Sequence, residues 1–452
     1  PAPAIVTPLS TFYRFEAGGV ELNVTFTTPS MPDELDMVSM PATFIAFDVA
    51  STDGKAHAVS LYYDNTAEVA VADTSQQVTW AAVDGLAGLV AMRVGTTSQQ
   101  VLKRSGDNVK IDWGYAYVAT QDTAHGTANV SSTMAAATPT RQAFVHGRPL
   151  PAVDTRKPRA CSDDWPVLAL QWDLEPVGPA AAGGKQSVHM AYAYDEVASI
   201  NYFGETLAPL WKQRYENATG VMLQDAVRMA SPASVFSMQA AAYDKRIIDA
   251  ATALGGGTYA ALCSLIWRQT VGATTTVWNP HRGEPWVFMK EISSDGDIST
   301  VDVIYPASPL FLQYAPEALR MMLAPLMAFA NNETANPYGP AWAPHHLGHW
   351  PIADIDDAHL GEEMPMEESG NMLMMLAAVA QRQGNNVTWL APYWRVVDRW
   401  ADYLNASLPD PGNQLCTDDF EGPSPHNVNL AAKGIAALGS YASLCAMRGD
   451  AA

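Results

Sequence analysis

The chain has 452 residues, of which 48% are hydrophobic and 16% charged, a composition that excludes a disordered protein and predicts two or more domains. Acidic residues outnumber basic ones by 47 to 26, which gives a formal net charge of -21. Such a surface repels phosphate backbones and anionic lipid, and no run of about 18 apolar residues predicts a membrane span. We therefore expect neither nucleic acid nor a membrane as a partner.

Residues 1–205 have the pattern of a β-rich domain. Residues 20–26 alternate apolar and polar side chains, as a half-buried strand does, and the mostly apolar run 43–49 predicts a strand that could be buried on both faces. Further strands are predicted at 59–64, 78–83, 110–119, 165–174 and 187–194. Many short strands separated by turn residues are typical of a β-sandwich.

Residues 206–452 have helical spacing instead. Helices are predicted at 207–229, 234–254, 259–271, 317–331, 368–382, 389–408 and 427–447, with a short extended stretch at 274–278. The triplet Gly255-Gly256-Gly257 is interpreted as a helix end with a tight turn, because no GK[ST] follows it as in a phosphate-binding loop. Several helices are apolar around most of their circumference, which favours the inner helices of a double-layered helical barrel.

Three long polar segments, 279–303, 331–366 and 408–426, separate these helices and hold most of the acidic, His and aromatic candidates. Long loops in compact domains are usually functional, and since these precede helices we expect them to converge at one end of the barrel. In the first, Asp295-Gly296-Asp297 is either a plain turn or part of a site. Asp302 lies in an apolar stretch that is interpreted as a strand, where a carboxylate is costly without a specific partner.

The second segment contains Asp354, Asp356, Asp357 and His359, with His345, His346 and His349 before them. This cluster is either a metal site or a solvated acidic loop. It lacks the HExxH spacing of a zinc hydrolase and the twelve-residue calcium loop. We expect no metal and no cofactor.

Glu367 and Glu368 open the helix predicted after Pro365. Acids in a first helical turn complement the positive helix end, so two surface acids are one interpretation. Consecutive helical residues diverge by about 100°, however, so the two acids face different ways. Because Glu368 shares a face with Asn371, Met372 and Met375, the alternative is a carboxylate that opens into an interior pocket.

Asp418 and Asp419 repeat this arrangement ahead of the last helix, in which Asn429 and Lys433 share a face. Lys433 either extends to water or orients a buried carboxylate. Pairs of carboxylates in different environments can serve as acid and base, and the absence of a GxSxG motif leaves a serine-esterase site unsupported. Six N-glycosylation sequons, together with few lysines, favour a secreted glycoprotein: Asn23, Asn129, Asn217, Asn332, Asn386 and Asn405.

Three motifs together resemble the central domain of fungal-type glutaminase A: residues 290–306 (KEISSDGDISTVDVIYP), residues 364–373 (MPMEESGNML), and residues 413–420 (NQLCTDDF) followed by 429–435 (NLAAKGI). Asp112-Trp113-Gly114-Tyr115 and Asp244-Lys245 are similar to weaker family patterns, and the resemblance covers essentially the whole chain. It implies an extracellular enzyme with a small-molecule substrate, which hydrolyses L-glutamine to L-glutamate and ammonia. It also implies an N-terminal β-sandwich-like domain, residues 1–205, followed by an (α/α)6-type helical toroid, residues 206–452. Members of the family continue beyond the position of Ala452, so we expect a fragment with an incomplete toroid.

The resemblance does not assign the catalytic residues. Our hypothesis makes Glu368 or Glu367 one member of an acid/base pair and Asp418 or Asp419 the other, with Glu368 favoured for its inward face. Asp297 and Asp302 would hold substrate or orient the pair, and Asn371 and Lys433 would assist in binding. The alternative function is a six-hairpin glycoside hydrolase acting on an oligosaccharide, because paired carboxylates also cleave glycosidic bonds and thirteen tryptophans suit sugar stacking. A third possibility is a secreted binding protein without catalytic activity.

Overall fold

A computed structural model describes residues 3–292, 294–331, 341–355 and 363–449. Within these ranges the strands, numbered β1 to β17 in chain order, are Ile5–Val6, Ser10–Ala17, Val20–Thr27, Ala42–Ser51, Ser60–Thr66, Gln77–Ala82, Leu89–Thr96, Tyr115–Gln121, Ala128–Ala136, Arg159–Ala160, Pro166–Leu174, Gln186–Asp195, Ile200–Tyr202, Glu205–Pro209, Thr274–Asn279, Glu284–Met289 and Ile352–Ala353. The α-helices, numbered α1 to α10, are Leu35–Val38, Ala137–Val145, Trp211–Arg214, Thr219–Ala230, Val235–Gly272, Val301–Tyr314, Pro316–Ala330, Pro365–Arg382, Trp394–Ser407 and Val428–Arg448.

The first half of the chain is built on a nine-stranded sheet with the order β1-β2-β3-β4-β12-β8-β7-β6-β10, packed against a three-stranded sheet, β5-β11-β9. Their pairings are antiparallel. Side chains of both sheets, such as Trp80, Val118, Leu170 and Trp172, form the core between them. The predicted β-rich N-terminal half is therefore confirmed as a two-sheet arrangement.

Helices cover the other face of the nine-stranded sheet. Phe44 and Tyr117 of the sheet pack with Met222 and Val227 of α4 and Phe236 of α5. Helix α5 begins at the N-cap Ser234, whose side chain accepts a hydrogen bond from the backbone N–H of Ser237. It is kinked at Gly256, where φ is 76°. The glycine triplet thus interrupts the helix, as the sequence predicts, since a positive φ favours glycine.

The second half packs helices α6 to α10 with a small sheet of the order β16-β15-β14-β13-β17 around a separate apolar core. Helix α8 lies centrally in this half and contacts α6, α7, α9 and α10. Its apolar residues after the first turn, among them Met372, Leu373 and Leu376, are fully buried. The predicted order of a β-rich domain followed by a helical domain is confirmed, and the all-round apolar pattern of α8 follows from its central position.

Several predicted elements differ from the observed ones. Residues 205–209 form strand β14 and not the start of a helix, and β16 crosses the segment predicted as a polar loop at 279–303. Asp302 lies in the first turn of helix α6 and not in a strand; Pro306 and Pro309 within that helix obscured its pattern, because proline is disfavoured in helix interiors. Strands β2, β7 and β9 were also not predicted.

The boundary between the domains, placed at 205/206 from the sequence, stays a prediction. Strands β13 and β14 join the small sheet of the helical half, whereas α4 packs against the large sheet. By length and composition alone, α5 and α10 are apolar enough to cross a membrane, which is weak evidence because core helices meet the same criterion. The predictions about partners therefore also stay predictions.

Candidate active site

Glu367 and Glu368 lie in the first turn of α8 and are buried, with exposed fractions of 1% and 0%. Pro365 occupies the first turn, where its missing N–H leaves no intrahelical bond unmade, and Met364 before it has a non-helical backbone. A buried carboxylate is costly unless hydrogen bonds or charges compensate for lost water. The surface interpretation of the two acids is therefore excluded, and each must be explained by its partners.

Glu368 contacts a histidine from the segment before α8. The Nδ1 atom of His345 lies 2.6 Å from Oε1 of Glu368, and the Nδ2 group of Asn371 donates to Oε2 at 3.1 Å. Oδ1 of Asp302 lies 3.6 Å from the same Nδ1 atom of His345. Two carboxylates thus flank one imidazole, which is itself largely buried.

This environment shifts both ionisations. Burial raises the pKa of Glu368 to about 8, although the hydrogen bond and charge of His345 oppose the shift. Burial also lowers the pKa of His345, but the carboxylates of Glu368, Asp302 and Asp297 outweigh it and raise the pKa to about 9. Near neutral pH the coupled pair therefore keeps a proton that an exposed Glu and an exposed His would release, which suits a proton donor.

Asp302 is held by the third polar segment. Its Oδ2 atom accepts a hydrogen bond of 2.6 Å from Oγ1 of Thr417, whereas its buried Oδ1 atom has no hydrogen-bond partner among the described residues. Asp302 belongs to the first segment, His345 to the second and Thr417 to the third. The predicted convergence of the three segments is therefore confirmed at these contacts.

Glu367 faces a different neighbour. Its Oε1 atom accepts hydrogen bonds from Nζ of Lys433 and, at 3.3 Å, from Nδ2 of Asn371. Lys433 also donates to Oδ1 of Asn371 at 2.8 Å, and its Nζ atom lies 4.8 Å from the ring centroid of Tyr305. Lys433 therefore does not extend to water. Its ammonium group orients the buried carboxylate of Glu367, which was the second alternative. Asn371 bridges the two glutamates.

Gly370 allows this approach of the two helices. A Cβ atom at Gly370 would lie 2.9 Å from Cγ of Lys433, and one at Gly434 would lie 2.9 Å from the sulfur of Met366. Helices α8 and α10 therefore pack closely at the level of the two glutamates, which is what brings the ammonium group of Lys433 to Glu367.

The remaining predicted site residues lie elsewhere. Asp418 and Asp419 are exposed on the surface, so the structure does not bring them together with Glu368 as our acid/base hypothesis required; only their neighbour Thr417 reaches the site. Asp297 is buried, lies 2.5 Å from Nδ1 of His349 and acts on His345 by raising its pKa through its charge. Asn429 is exposed.

Sequence reasoning missed three contributors. His345 was considered only as a metal ligand and Thr417 not at all, although both stand in the polar segments already singled out. Glu363 was also missed: its side chain accepts a hydrogen bond from Nε1 of Trp342, burial raises its pKa, and the charge of His345 opposes that shift. Its position in the sequence, two residues before the proline that begins helix α8, is the one feature that could have indicated Glu363.

The donor atoms of Asp302, His345 and Glu368 lie within 4.8 Å of one another, a spacing that fits a metal ion. His345 and Glu368 are hydrogen-bonded directly to each other in this arrangement, and we assign none of the three as a metal ligand. The expectation of no metal stays a prediction. Asp356, Asp357 and His359 of the acidic cluster lie outside the described residues; Asp354 lies within them and is exposed.

Comparisons with known proteins cover both halves. Residues 256–452 match the family model of the glutaminase A six helical-hairpin domain, and residues 9–249 match a domain of unknown function, DUF5127. Over 446 residues the chain is 33% identical to glutaminase A of Aspergillus oryzae, which covers 96% of this chain and 61% of that protein. It is 24% identical over 494 residues to a probable glutaminase of Arthroderma benhamiae, covering 94% and 55% respectively.

The chain thus spans about three fifths of the length of these relatives. A glycoside hydrolase family 81 structure from Clostridium thermocellum matches 97% of this chain and 60% of its own with 10% identity and a TM-score of 0.20, too low to carry an argument. The two family models meet within helix α5, close to the kink at Gly256.

Proposed function

The chain belongs to the glutaminase A family, and from that premise we propose that it hydrolyses the side-chain amide of L-glutamine to L-glutamate and ammonia. The single observation that supports this most is the buried group formed by Glu368, His345 and Asp302. It combines a carboxyl group that holds its proton near neutral pH with a second carboxylate that has an oxygen without a hydrogen-bond partner among the described residues.

Amide hydrolysis needs a base for water and an acid for the leaving nitrogen. In our assignment Oδ1 of Asp302 takes one proton from a water molecule, whose oxygen attacks the Cδ carbonyl carbon of glutamine. The C–N bond then breaks as the nitrogen accepts the proton held by Glu368, and ammonia leaves. The proton on Asp302 returns the site to its starting state when it passes, by way of His345, to Glu368.

The neighbouring group formed by Glu367, Lys433 and Asn371 suits the other end of the substrate. Glutamine carries an α-ammonium and an α-carboxylate group, and this group offers a carboxylate and an ammonium that are already paired with each other. Because Asn371 donates to both glutamates, it fixes the distance between the place where the substrate would be held and the place where it would react.

The experiment is a comparison of substrates with the full-length protein. Ammonia release from glutamine, measured by a coupled assay, should be rapid, and release of a chromophore from nitrophenyl glycosides should be absent. An Asp302→Asn variant should lose glutamine turnover by about a hundredfold or more, the usual contribution of one acid/base group. Glycoside cleavage without ammonia release would overturn the proposal.

A glycoside hydrolase is the second candidate, and one observation favours it. The carboxylate oxygens of Asp302 and Glu368 lie within 4.8 Å of each other, which resembles the separation of about 5 Å in retaining glycosidases. Trp342, which packs against Tyr403 near Glu363, would offer a stacking surface for a sugar. The same assay separates the two candidates.

We also propose that the protein is secreted and glycosylated. Five of the six sequons lie in the described residues, and the asparagine is exposed in four of these: Asn129, Asn217, Asn386 and Asn405. An exposed asparagine is accessible to an oligosaccharide transferase. Mass spectrometry of the secreted protein before and after deglycosylation should show a mass difference at these four sites, and unmodified asparagines at all of them would contradict the proposal.

A further inference from the structure

The polypeptide segment that carries His345 is held by the N-terminal domain as well as by its own. We propose that the loop at residues 104–113 of the β-rich domain is a brace that positions His345 against Glu368, so that the first domain supports the chemistry of the second. This inference rests on the proposed role of the His345–Glu368 pair.

Within the helical half, the segment pairs with the residues that lead into α6. The backbone N–H of Val301 donates to the carbonyl of His345 at 2.8 Å. Ile298 donates to the carbonyl of Gly348 and accepts from the N–H of Leu347, both at 2.9 Å. These bonds fix the backbone at His345 and just after it, and they also fix the start of the helix that carries Asp302.

The backbone pairing between the two segments ends at Trp350, which is also hydrogen-bonded to the loop of the N-terminal domain. Trp350 donates its backbone N–H to the carbonyl of Gly296 at 2.8 Å, and its own carbonyl accepts from the N–H of Gly106 at 2.8 Å. The Nζ atom of Lys290 donates to the carbonyl of Asp107 at 2.6 Å and lies 4.9 Å from the ring centroid of Trp350. Lys290 therefore joins the loop to the tryptophan.

The loop at residues 104–113 packs directly against the backbone at Gly296. Gly296 has a φ of +75°, and a Cβ atom there would lie 2.1 Å from the backbone nitrogen of Asp107. No side chain fits at that distance, so the two backbones are in direct contact. A displacement of the loop would be passed to residues 296–298, and from there to the backbone of His345.

The loop is itself anchored in the β-rich domain, as a brace requires. Asp112 is 1% exposed and accepts hydrogen bonds from Arg104 and, at 2.6 Å, from Nε2 of Gln76. Trp113 is fully buried, and its Nε1 group donates to the carbonyl of Ala198 at 2.8 Å. The loop therefore moves with the sheet to which it is attached.

The charge on His345 reports its distance from Glu368. The titratable and charged groups near the pair come from several elements: Asp302 on α6, Asp297 before it, His346 next to His345 in the chain, Glu363 before α8, Glu367 in its first turn, and Lys433 on α10. None of these groups belongs to the loop or to Lys290. Removing the ammonium group of Lys290 would by itself raise the pKa of His345, so a fall in that pKa after Lys290→Met indicates displacement of the segment.

The test uses the full-length protein with Lys290→Met, which removes both the hydrogen bond to Asp107 and the ammonium group over Trp350, and with Lys290→Arg, which keeps a donor and the charge. Arg141→Met is the matched control, because it breaks the exposed Arg141–Asp64 pair, which joins α2 to strand β5 of the three-stranded sheet. The titration of His345 is followed by NMR with labelled histidine, the signal being assigned by its loss in His345→Gln. The rate of ammonia release from glutamine is measured in parallel.

We expect Lys290→Met to lower the pKa of His345 by about one pH unit and kcat by about tenfold, because small misplacements of a reacting group are costly. Lys290→Arg should restore most of both, and Arg141→Met should change neither. A His345 titration in Lys290→Met that equals that of Arg141→Met would overturn the brace. The titration needs no substrate, so a wild-type protein that released no ammonia would refute the proposed function and leave this result to decide the brace.

Discussion

The imidazole Nδ1 atom of His345 lies 2.6 Å from Oε1 of Glu368, across 23 residues of sequence and inside the protein. Burial and this contact act on Glu368 in opposite directions, since burial favours the neutral carboxyl and the imidazole favours the ionised one. The outcome is a carboxyl group poised to ionise just above neutral pH.

Removing the imidazole should move the ionisation of Glu368 upward. The imidazole of His345 lowers the pKa of Glu368, whereas burial raises it. In His345→Gln only the effect of burial remains, so the pKa of Glu368 should rise above about 8. The alkaline limb of the kcat profile for glutamine hydrolysis should shift to higher pH, and kcat itself should fall about tenfold or more. An exposed histidine serves as the control: His426→Gln, which loses only a contact with Asp410, should leave the limb in place. An unshifted limb in His345→Gln would remove the pair from the mechanism.

The hydroxyl group of Thr417 should affect the rate of catalysis because it orients the carboxylate of Asp302. Thr417→Val removes the hydrogen bond to Oδ2, which holds the carboxylate of Asp302 in its orientation. We expect kcat to fall about tenfold with little change in KM, since the oriented base is needed for the chemical step and not for binding. Thr417→Ser, which keeps the hydroxyl, should recover most of the rate. Equal rates in the Val and Ser variants would show that this contact has no catalytic part.

Breaking the Lys433–Glu367 pair should destabilise the helical domain. The side chain of Glu367 is 2% exposed and that of Lys433 13%, so Lys433→Met leaves an uncompensated buried charge, at a cost of about 3 kcal/mol in the free energy of unfolding. Lys245→Met, at the exposed pair with Asp249, should change stability very little. Urea unfolding measures both variants.

The double variant Glu367→Gln/Lys433→Met separates charge from packing. If the loss in Lys433→Met comes from the unpaired carboxylate, the second substitution should restore part of the unfolding free energy, because the buried charge is gone. A double variant less stable than either single variant would assign the loss to packing between α8 and α10 instead.

Stability should decrease as the pH rises from about 5 to about 9. The folded protein holds protons on Glu368 and His345 up to pKa values of about 8 and 9, whereas the unfolded chain releases them near ordinary values of about 4.3 and 6.5. Each group therefore stabilises the fold below its unfolded pKa, and its contribution is lost as the pH rises through the folded pKa. Both losses overlap between about pH 6.5 and 8, where the slope should be steepest.

The thermal midpoint of Glu368→Gln measured over the same range tests this assignment. Because the glutamine does not ionise, the variant should lose less stability than the wild type between pH 6 and pH 8.5. An identical pH dependence in both proteins would mean that Glu368 ionises alike in the folded and unfolded chains.

Part of this site could be predicted from the sequence because it depends on local geometry. The helix start at Pro365 and the angle between successive residues determine that Glu367 and Glu368 face different neighbours, and the apolar residues that follow require a buried helix. The positions of the three polar segments ahead of helices likewise predicted that they would converge.

The partners themselves could not be predicted, because they depend on contacts between distant segments. Nothing near His345 in the sequence indicates that its ring would meet Glu368, and the loop at 104–113 that supports it belongs to the other domain. Asp418 and Asp419 had the same local pattern as the two glutamates, yet they lie in a short exposed turn, and the hydroxyl of Thr417 beside them is what reaches Asp302. The local sequence pattern therefore indicated the segment that contributes to the site, but not the residue within it that makes the contact.

The most direct test of the central claim compares two neighbouring acids in the full-length protein. Glu368→Gln and Glu367→Gln make the same chemical change one residue apart in one helix turn, and both sites are buried. We predict that Glu368→Gln lowers kcat for ammonia release from glutamine by about a thousandfold with its circular dichroism spectrum intact, while Glu367→Gln keeps a kcat within about tenfold of the wild type and a raised KM. A Glu368→Gln enzyme with near wild-type kcat would contradict the account.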